Sequence, residues 1–285
     1  MASRLSTIVM AGLLMQQLPL FRTETRLVVL HVTVENGHDE PVSNLDKSAF
    51  TVYENGARQP IEVFRRDDVP VSMGLLIDNS GSMRSRRAHV ESAALALARA
   101  SNPDDEMFVL NFADHPRIDV PFTSDLHVLE TQIARVDSIG GTALRDAVEF
   151  GEQYVQRGTR DRRVLVVVSD GVDNTSAATM AQLLKVAQRQ EIAIFAVGLS
   201  ADRHARHDLD ELADRTGGGA YYPEDAAGIE RVAVDIARRI RTQYTVAYAP
   251  TNQALDSSYR AIRVSVAAAG RPTVRTRDGY WATPK

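Results

Sequence analysis

Three stretches of the chain carry different hydrophobic periods. From Thr25 to Arg66, apolar and polar residues alternate. Val28, Leu30, Val32 and Val34 recur at every second position, as in a strand with one buried face. Asn36-Gly37 marks a turn, Phe50 to Tyr53 is a second strand candidate, and Ile61 and Val63 belong to a third. Asn55-Gly56 between the last two predicts a tight hairpin, because both central residues of a type I′ turn need positive φ.

From Val71 to about Arg241 the period changes. Apolar runs alternate with stretches of helical amphipathicity. The expected strands are Ser72–Ile77, Met107–Phe112, Val164–Ser169 and Ile192–Gly198. The expected helices are Arg86–Ala100, Leu126–Val136, Ala143–Gln156, Met180–Gln190, Leu209–Arg215 and Ile229–Arg241. The runs Leu75–Asp78 and Leu165–Asp170 are apolar through most of their length, which fits strands covered by helices on both faces. Alternating β and α elements predict a doubly wound α/β fold around a mainly parallel sheet. After Arg241 the period of two returns. Tyr244, Val246 and Tyr248 alternate, then Ile262, Val264 and Val266, and Val274 to Trp281 is a last strand candidate. Neither end has enough strands to bury a sheet face alone. The economical arrangement is one small β-sandwich-like domain built from both chain ends, with the α/β domain inserted between them. The expected divisions are 1–22, a leader or irregular segment; 23–70 and 242–285, the two parts of the β domain; and 71–241, the α/β domain.

Composition narrows the class. Of 285 residues, 44% are hydrophobic and 25% charged, which excludes a disordered chain. The net charge of −4 leaves no basic surplus for phosphates, so nucleic acid is not an expected partner. The chain has no cysteine, which excludes disulfide scaffolds, thiolate metal sites and cysteine nucleophiles. No apolar run approaches the roughly 18–20 residues of a membrane helix, so membrane insertion is not expected. Arg4 followed by the apolar stretch Ile8 to Met15 is similar to the start of a secretory signal. The expectation is export, to a secreted or periplasmic location, with the cytoplasm as the alternative.

The candidate chemistry sits at strand ends. Asp78-Asn79-Ser80-Gly81-Ser82 follows directly on one buried strand and precedes a helix. Asp170 ends another, in Val-Val-Ser-Asp-Gly. Thr142 lies in Gly140-Gly141-Thr142-Ala143-Leu144, at another helix start. Open α/β sheets bind ligands at the carboxyl ends of their strands. Two carboxylates and three hydroxyls make an oxygen-only set that suits a hard cation such as Mg²⁺, with Mn²⁺ as its substitute. Without Cys or His, softer metals are disfavoured.

This order of motifs, D-x-S-x-S after a buried strand, a Gly-Thr loop, then S-D-G after another, resembles the von Willebrand factor type A domain with its metal-ion-dependent adhesion site. The resemblance covers Val71–Arg241 and maps the family pattern onto Asp78, Ser80, Ser82, Thr142 and Asp170. The flanks, Val32-Thr33-Val34 with Phe50–Gly56 and Gln243–Pro250 with Gly279-Tyr280-Trp281, are similar to the acidobacterial-type group of bacterial proteins related to that family. The resemblance implies a non-catalytic adhesion or binding module. It implies that Ser80, Ser82 and Thr142 bind Mg²⁺ directly and that Asp78 and Asp170 act largely through water. A partner protein's Asp or Glu then completes the shell. Some members of the family also slide their last helix on binding. Here that helix, Ile229–Arg241, leads straight into the strand at Tyr244, so such a shift would reach the angle between the two domains.

Two other functions compete. A Mg²⁺-dependent phosphoester hydrolase would also place Asp at a strand end, with Arg84, Arg86 and Arg87 available for an anion. An intracellular assembly factor working with an ATPase is the other. Ser80 as a nucleophile lacks a base, since His89 lies beyond the first helical turn. The remaining signals have plainer readings. His204, His207 and Asp208 are expected in solvent. Arg238, Arg239 and Arg241 answer a helix dipole. Tyr221, Tyr222, Tyr280 and Trp281 belong to cores or the domain interface. Asp173 and Asn174 either hold their loop or touch a ligand.

Overall fold

The computed structural model of the chain describes residues 26–133, 140–200 and 203–284. The expected leader at 1–22 and the end of the helix expected to reach Val136 lie outside the described residues. The first part of the chain forms strands β1 (Val28–Glu35), β2 (Phe50–Glu54), β3 (Ala57–Gln59) and β4 (Val63–Arg65). The middle runs β5 (Val71–Asp78), α1 (Arg87–Ala100), β6 (Glu106–Phe112), β7 (Pro116–Thr123), α2 (Leu126–Gln132) and α3 (Leu144–Val155). It continues with β8 (Arg162–Ser169), α4 (Met180–Gln190), β9 (Ile192–Gly198), α5 (Arg203–Thr216), β10 (Ala220–Tyr221) and α6 (Ala226–Arg241). Strands β11 (Tyr244–Tyr248), β12 (Tyr259–Val266), β13 (Thr273–Arg275) and β14 (Gly279–Trp281) close the chain.

The middle section is a six-stranded sheet in the order β10-β9-β8-β5-β6-β7. All pairings are parallel except β6 with β7. All eight residues of β5 are buried, as a central strand with helices on both faces requires. Met73, Leu75 and Ile77 point to one face and pack with α1 and α6. Leu76 points to the other, with α3, α4 and α5. Gly74 shares the face of Leu76, where a Cβ would meet the Phe108 ring at 2.3 Å. The result is the expected doubly wound α/β fold.

Two differences from the pattern reading have physical causes. Strand β7 escapes it because Pro116 and Pro121 interrupt the run. Proline is tolerated there because β7 is an edge strand, where a missing N–H costs no ladder bond. Helix α5 begins at Arg203, six residues before the expected Leu209; its first turns are charged, and of their described side chains only Ala205 is buried, so they carry no apolar period.

The chain ends build two further four-stranded sheets, β13-β1-β11-β4 and β14-β12-β2-β3, with antiparallel pairings throughout. Each central pair, β1 with β11 and β2 with β12, joins one strand from each end of the chain. The expected tight turn is present, with Asn55 at φ 48° and Gly56 at φ 82°, but β2 pairs with Ala57–Gln59 of β3, and Val63 instead lies in β4 of the other sheet. The expected single strand from Val274 to Trp281 is instead two short ones, β13 and β14, in different sheets. Between the sheets lie Leu30, Val32, Val52, Val246 and the rings of Phe50, Phe64 and Tyr244. The buried Glu54 accepts hydrogen bonds from Tyr248 (2.8 Å), Tyr280 (3.0 Å) and Arg260 (3.2 Å), so its carboxylate is satisfied, while Arg260 Nε beside it has no partner among the described residues.

The sandwich meets the α/β unit at the amino ends of the parallel strands. Arg162, at the start of β8, donates to the Ile240 carbonyl and to Gln243. Gln243 donates in turn to Thr33 at 2.9 Å. Glu35 of β1 is sandwiched between Arg239 of α6 at 2.5 Å and Arg275 of β13 at 3.3 Å. Arg241 pairs with Asp68 at 2.7 Å. Reading Arg239 and Arg241 as dipole partners only is therefore corrected: both also carry ion pairs that tie α6 to the segment before β5 and to the sandwich.

Candidate metal centre

Strand β5 delivers Asp78 to the carboxyl edge of the sheet. The next loop turns back on it, so that the Ser80 N–H donates to Asp78 Oδ1 at 2.9 Å. Ser169, the last residue of the neighbouring β8, donates its hydroxyl to Asp78 Oδ2 at 2.6 Å. Ser169 Oγ also accepts the Gly171 N–H at 2.9 Å. Asp78 is 2% exposed, and burial pushes its carboxyl above the usual aspartate range. The hydrogen bonds from Ser169 and Ser80 oppose that shift, and the nearby Asp170 charge adds to it. A cation in this place would favour the ionised form.

A second chain of bonds crosses the loop. Ser80 Oγ lies 3.1 Å from Ser82 Oγ, and Ser82 donates to Asp170 Oδ2 at 2.6 Å. Ser80 is buried, whereas Ser82 is open to solvent, so the cluster has an outward side. The loop of Thr142 is held alongside, because the Gly81 N–H donates to the Gly140 carbonyl at 3.2 Å. Asp114 fixes that loop from beneath by accepting the Gly141 N–H at 2.7 Å. Gly140 has φ +102°, and a Cβ there would strike Asp114 at 2.4 Å, so glycine is required. Thr142 is 3% exposed, and its hydroxyl makes no hydrogen bond to any described residue. The structure thus brings Asp78, Ser80, Ser82 and Asp170 into one bonded cluster and sets the Thr142 loop against it.

Three further residues support the cluster, of which Ser169 was beyond the pattern reading. Ser169 was visible as the residue before Asp170, but its bond to Asp78 depends on the pairing of β5 with β8. Asn174 accepts the Thr142 N–H at 3.0 Å and donates its own N–H to the Thr142 carbonyl at 3.1 Å. Asp173 accepts from the Arg145 N–H at 2.8 Å and the Ser176 N–H at 3.1 Å. Burial acts to raise the Asp173 carboxyl, but the Arg145 and Ser176 bonds outweigh it and hold it below the usual range. Both residues therefore hold the loop, as one of the two readings of them expected.

The set suits a hard divalent cation by the chemistry of its donors. It offers three hydroxyls and two carboxylates, and no imidazole or thiolate. Among the described residues there is no group of three or more His, Cys, Asp or Glu that could hold a metal, so such a site depends on hydroxyls. The centre lies where the crevice of an open α/β sheet forms, since the loop after β5 leads to α1 on one face and the loop after β8 leads to α4 on the other. Arg87 is bound to Asn79 at 3.2 Å and to Glu91 at 2.6 Å, a tether for the start of α1. His207 is solvent-exposed and lies 4.0 Å from Glu211. The side chain of His204 lies outside the described residues.

Comparison with known proteins agrees with this architecture. No curated protein sequence matches the chain. Among solved structures, an aerotolerance-related membrane protein from Bacteroides fragilis is 17% identical, with a TM-score of 0.50 over 60% of this chain and 98% of that one. BatB from Bacteroides thetaiotaomicron is 16% identical, with a TM-score of 0.50 over 59% of this chain and 98% of that one. Proximal thread matrix protein 1 from the mussel byssus, described with a zinc-occupied MIDAS motif, is 16% identical, with a TM-score of 0.55 over 65% of this chain and 50% of that one. At these identities the likeness is one of fold. Residues 73–172 match the family model of the von Willebrand factor type A domain. The central α/β unit of this chain is a von Willebrand factor type A domain.

Proposed function

We propose that the chain is a non-catalytic binding module that captures an acidic group of a protein partner through a divalent cation, Mg²⁺ or Mn²⁺. Asp78, Ser80, Ser82, Thr142 and Asp170 hold the cation. The observation that carries this reading is the bonded chain Ser80–Ser82–Asp170 above the buried Asp78, at the carboxyl edge of the sheet. When bound, the cation supplies a positive, incompletely coordinated centre for an external oxygen. The residues of the chain do the rest. Ser80, Ser82 and Thr142 offer neutral oxygens, which leave the charge of the cation largely unspent. Asp78 and Asp170 balance that charge and orient water.

A hydrolase is less well supported. Both oxygens of Asp78 already accept hydrogen bonds, which leaves it a poor nucleophile. Among the described residues no histidine hydrogen-bonds to Ser80 or Ser82, so neither serine is paired with an imidazole base. Among the same residues, no helix is long and apolar enough to cross a membrane.

The test is calorimetric titration of Mg²⁺ and Mn²⁺ into chelator-treated protein. Wild type should bind and the Ser80→Ala/Ser82→Ala double variant should not. Equal binding by both would place the cation elsewhere and reject the reading.

A further inference from the structure

We propose that Val172 is a specificity-determining residue of this centre and receives an apolar side chain that lies within two positions of the partner's acidic residue. The proposal rests on the cation-capture reading above. Val172 is 45% exposed, and the other large exposed hydrophobics among the described residues, Leu27, Phe150 and Leu255, lie outside the loops of the centre. Val172 thus leaves nearly half of its apolar side chain in water beside the centre. Its backbone is nevertheless pinned on both sides. The Val172 N–H donates to Asp170 Oδ1 at 3.3 Å. Gly171 has φ +80° and presses on the Ala205 carbonyl, where a Cβ would lie at 2.1 Å. Asp173 is anchored by Arg145 and Ser176. A contact made on Val172 therefore pays little for ordering the loop.

The far side of the centre has the opposite character. A groove of about 400 Å³ lies beside Asn79, lined also by Asn111, His115 and Arg117. The strand order sets the Val172 loop above β8, the Ser80 and Ser82 loop above β5, and this groove above β6. Neighbouring strands are about 4.8 Å apart, so the three positions span about 10 Å, comparable with the ~13 Å between the first and fifth residues of an extended chain. Residues two apart in such a segment share one face. One short segment can thus place a carboxylate over the β5 loop, an apolar side chain on Val172, and a hydrogen-bonding side chain in the groove.

The experiment pans a heptapeptide library with a fixed central Asp against the full chain in Mn²⁺, with elution by chelator. Eluted peptides should be enriched in Val, Leu, Ile or Phe within two positions on one side of the Asp. Val172→Ser should weaken those peptides about tenfold, the effect of losing one buried Val contact. Val172→Leu should keep them, and both variants should bind Mn²⁺ as wild type does in calorimetry. Eluted peptides without apolar enrichment would overturn the proposal. So would enriched peptides that bind Val172→Ser equally well, or Mn²⁺ binding with no chelator-eluted peptide. Failure of wild type to bind Mn²⁺ would instead overturn the cation-capture reading itself, and is seen separately in the calorimetry.

Discussion

Glu152, on α3, is fully buried, and neither of its carboxylate oxygens meets a hydrogen-bond donor. Burial, with a smaller effect from Glu149, pushes its carboxyl up to about 9. Its folded value lies above its unfolded one, so its contribution to stability is complete below about pH 4.5 and is lost as pH rises toward 9. Glu152→Met should therefore stabilise the protein by about 3 kcal/mol at pH 7, and by much less at pH 5. Urea denaturation at the two pH values checks this, and an equal gain at both would show that the charge is not the cause. Asp78 is the contrasting case, because its burial is matched by donors. It too has a raised carboxyl, so the cation-free protein bears a cost that grows as pH rises through the folded value. Asp78→Asn keeps an acceptor for Ser80 and removes the charge. It should leave the cation-free protein at least as stable as wild type at pH 7 while weakening Mn²⁺ binding about a hundredfold. Thermal melts and calorimetry measure the two effects. Asp78, Ser80, Ser82 and Asp170 were legible because each lies at the end of an apolar run or one turn beyond it. Ser169 and Asp114 were not, because their roles arise from strand and loop neighbours distant in sequence.

Helix α6 has more than one master. Its apolar face packs on the sheet through Ile229, Ala233, Ile236 and Ile240, while its last turn gives Arg239 to Glu35. Both partners of that pair are almost fully buried, with side chains 6% and 2% exposed. Glu35→Ala would leave Arg239 buried without its counter-charge, and should cost about 3–5 kcal/mol in chemical denaturation. Glu35→Gln should recover part of that loss by keeping an acceptor. The helix itself was legible from its period, but this role was not, since a run of arginines at a helix end has a sufficient local reason to exist. Strand β7 was illegible for the opposite reason, because its prolines argue locally against a strand that edge position permits. The clamp also bears on motion. If binding shifts α6, the sandwich must move with it, and X-ray scattering with and without Mn²⁺ plus a bound peptide should differ. Superimposable profiles would show that α6 stays fixed.

At the scale of the molecule, the candidate centre and the sandwich occupy opposite ends of the parallel sheet. β5 runs from Val71 on the sandwich side to Asp78 at the centre, a distance of about 25 Å at the rise of an extended strand. The alternation of periods made the insertion itself legible. The interleaving of strands from both chain ends, and the buried charges at the junction, could be read only from the structure. A fragment of residues 71–241 should fold by itself, but less stably than in the full chain, because Arg239 loses Glu35. A fragment of residues 1–70 should remain unfolded, and circular dichroism of the two fragments decides both points. The pairing of β4 with β11 has one more consequence. These strands form a hairpin whose connection is the whole type A domain, about 180 residues. Closing so long a flexible loop costs about 2.5 kcal/mol more chain entropy than closing one of ten residues. Once the inserted domain is folded, its two ends are already held together by Arg241 and Asp68, and the long loop becomes a short one. Chain entropy therefore favours an order in which the type A domain folds first and the sandwich closes on it, so that a change that delays the type A domain should delay the sandwich too, however perfect the sandwich's own strands.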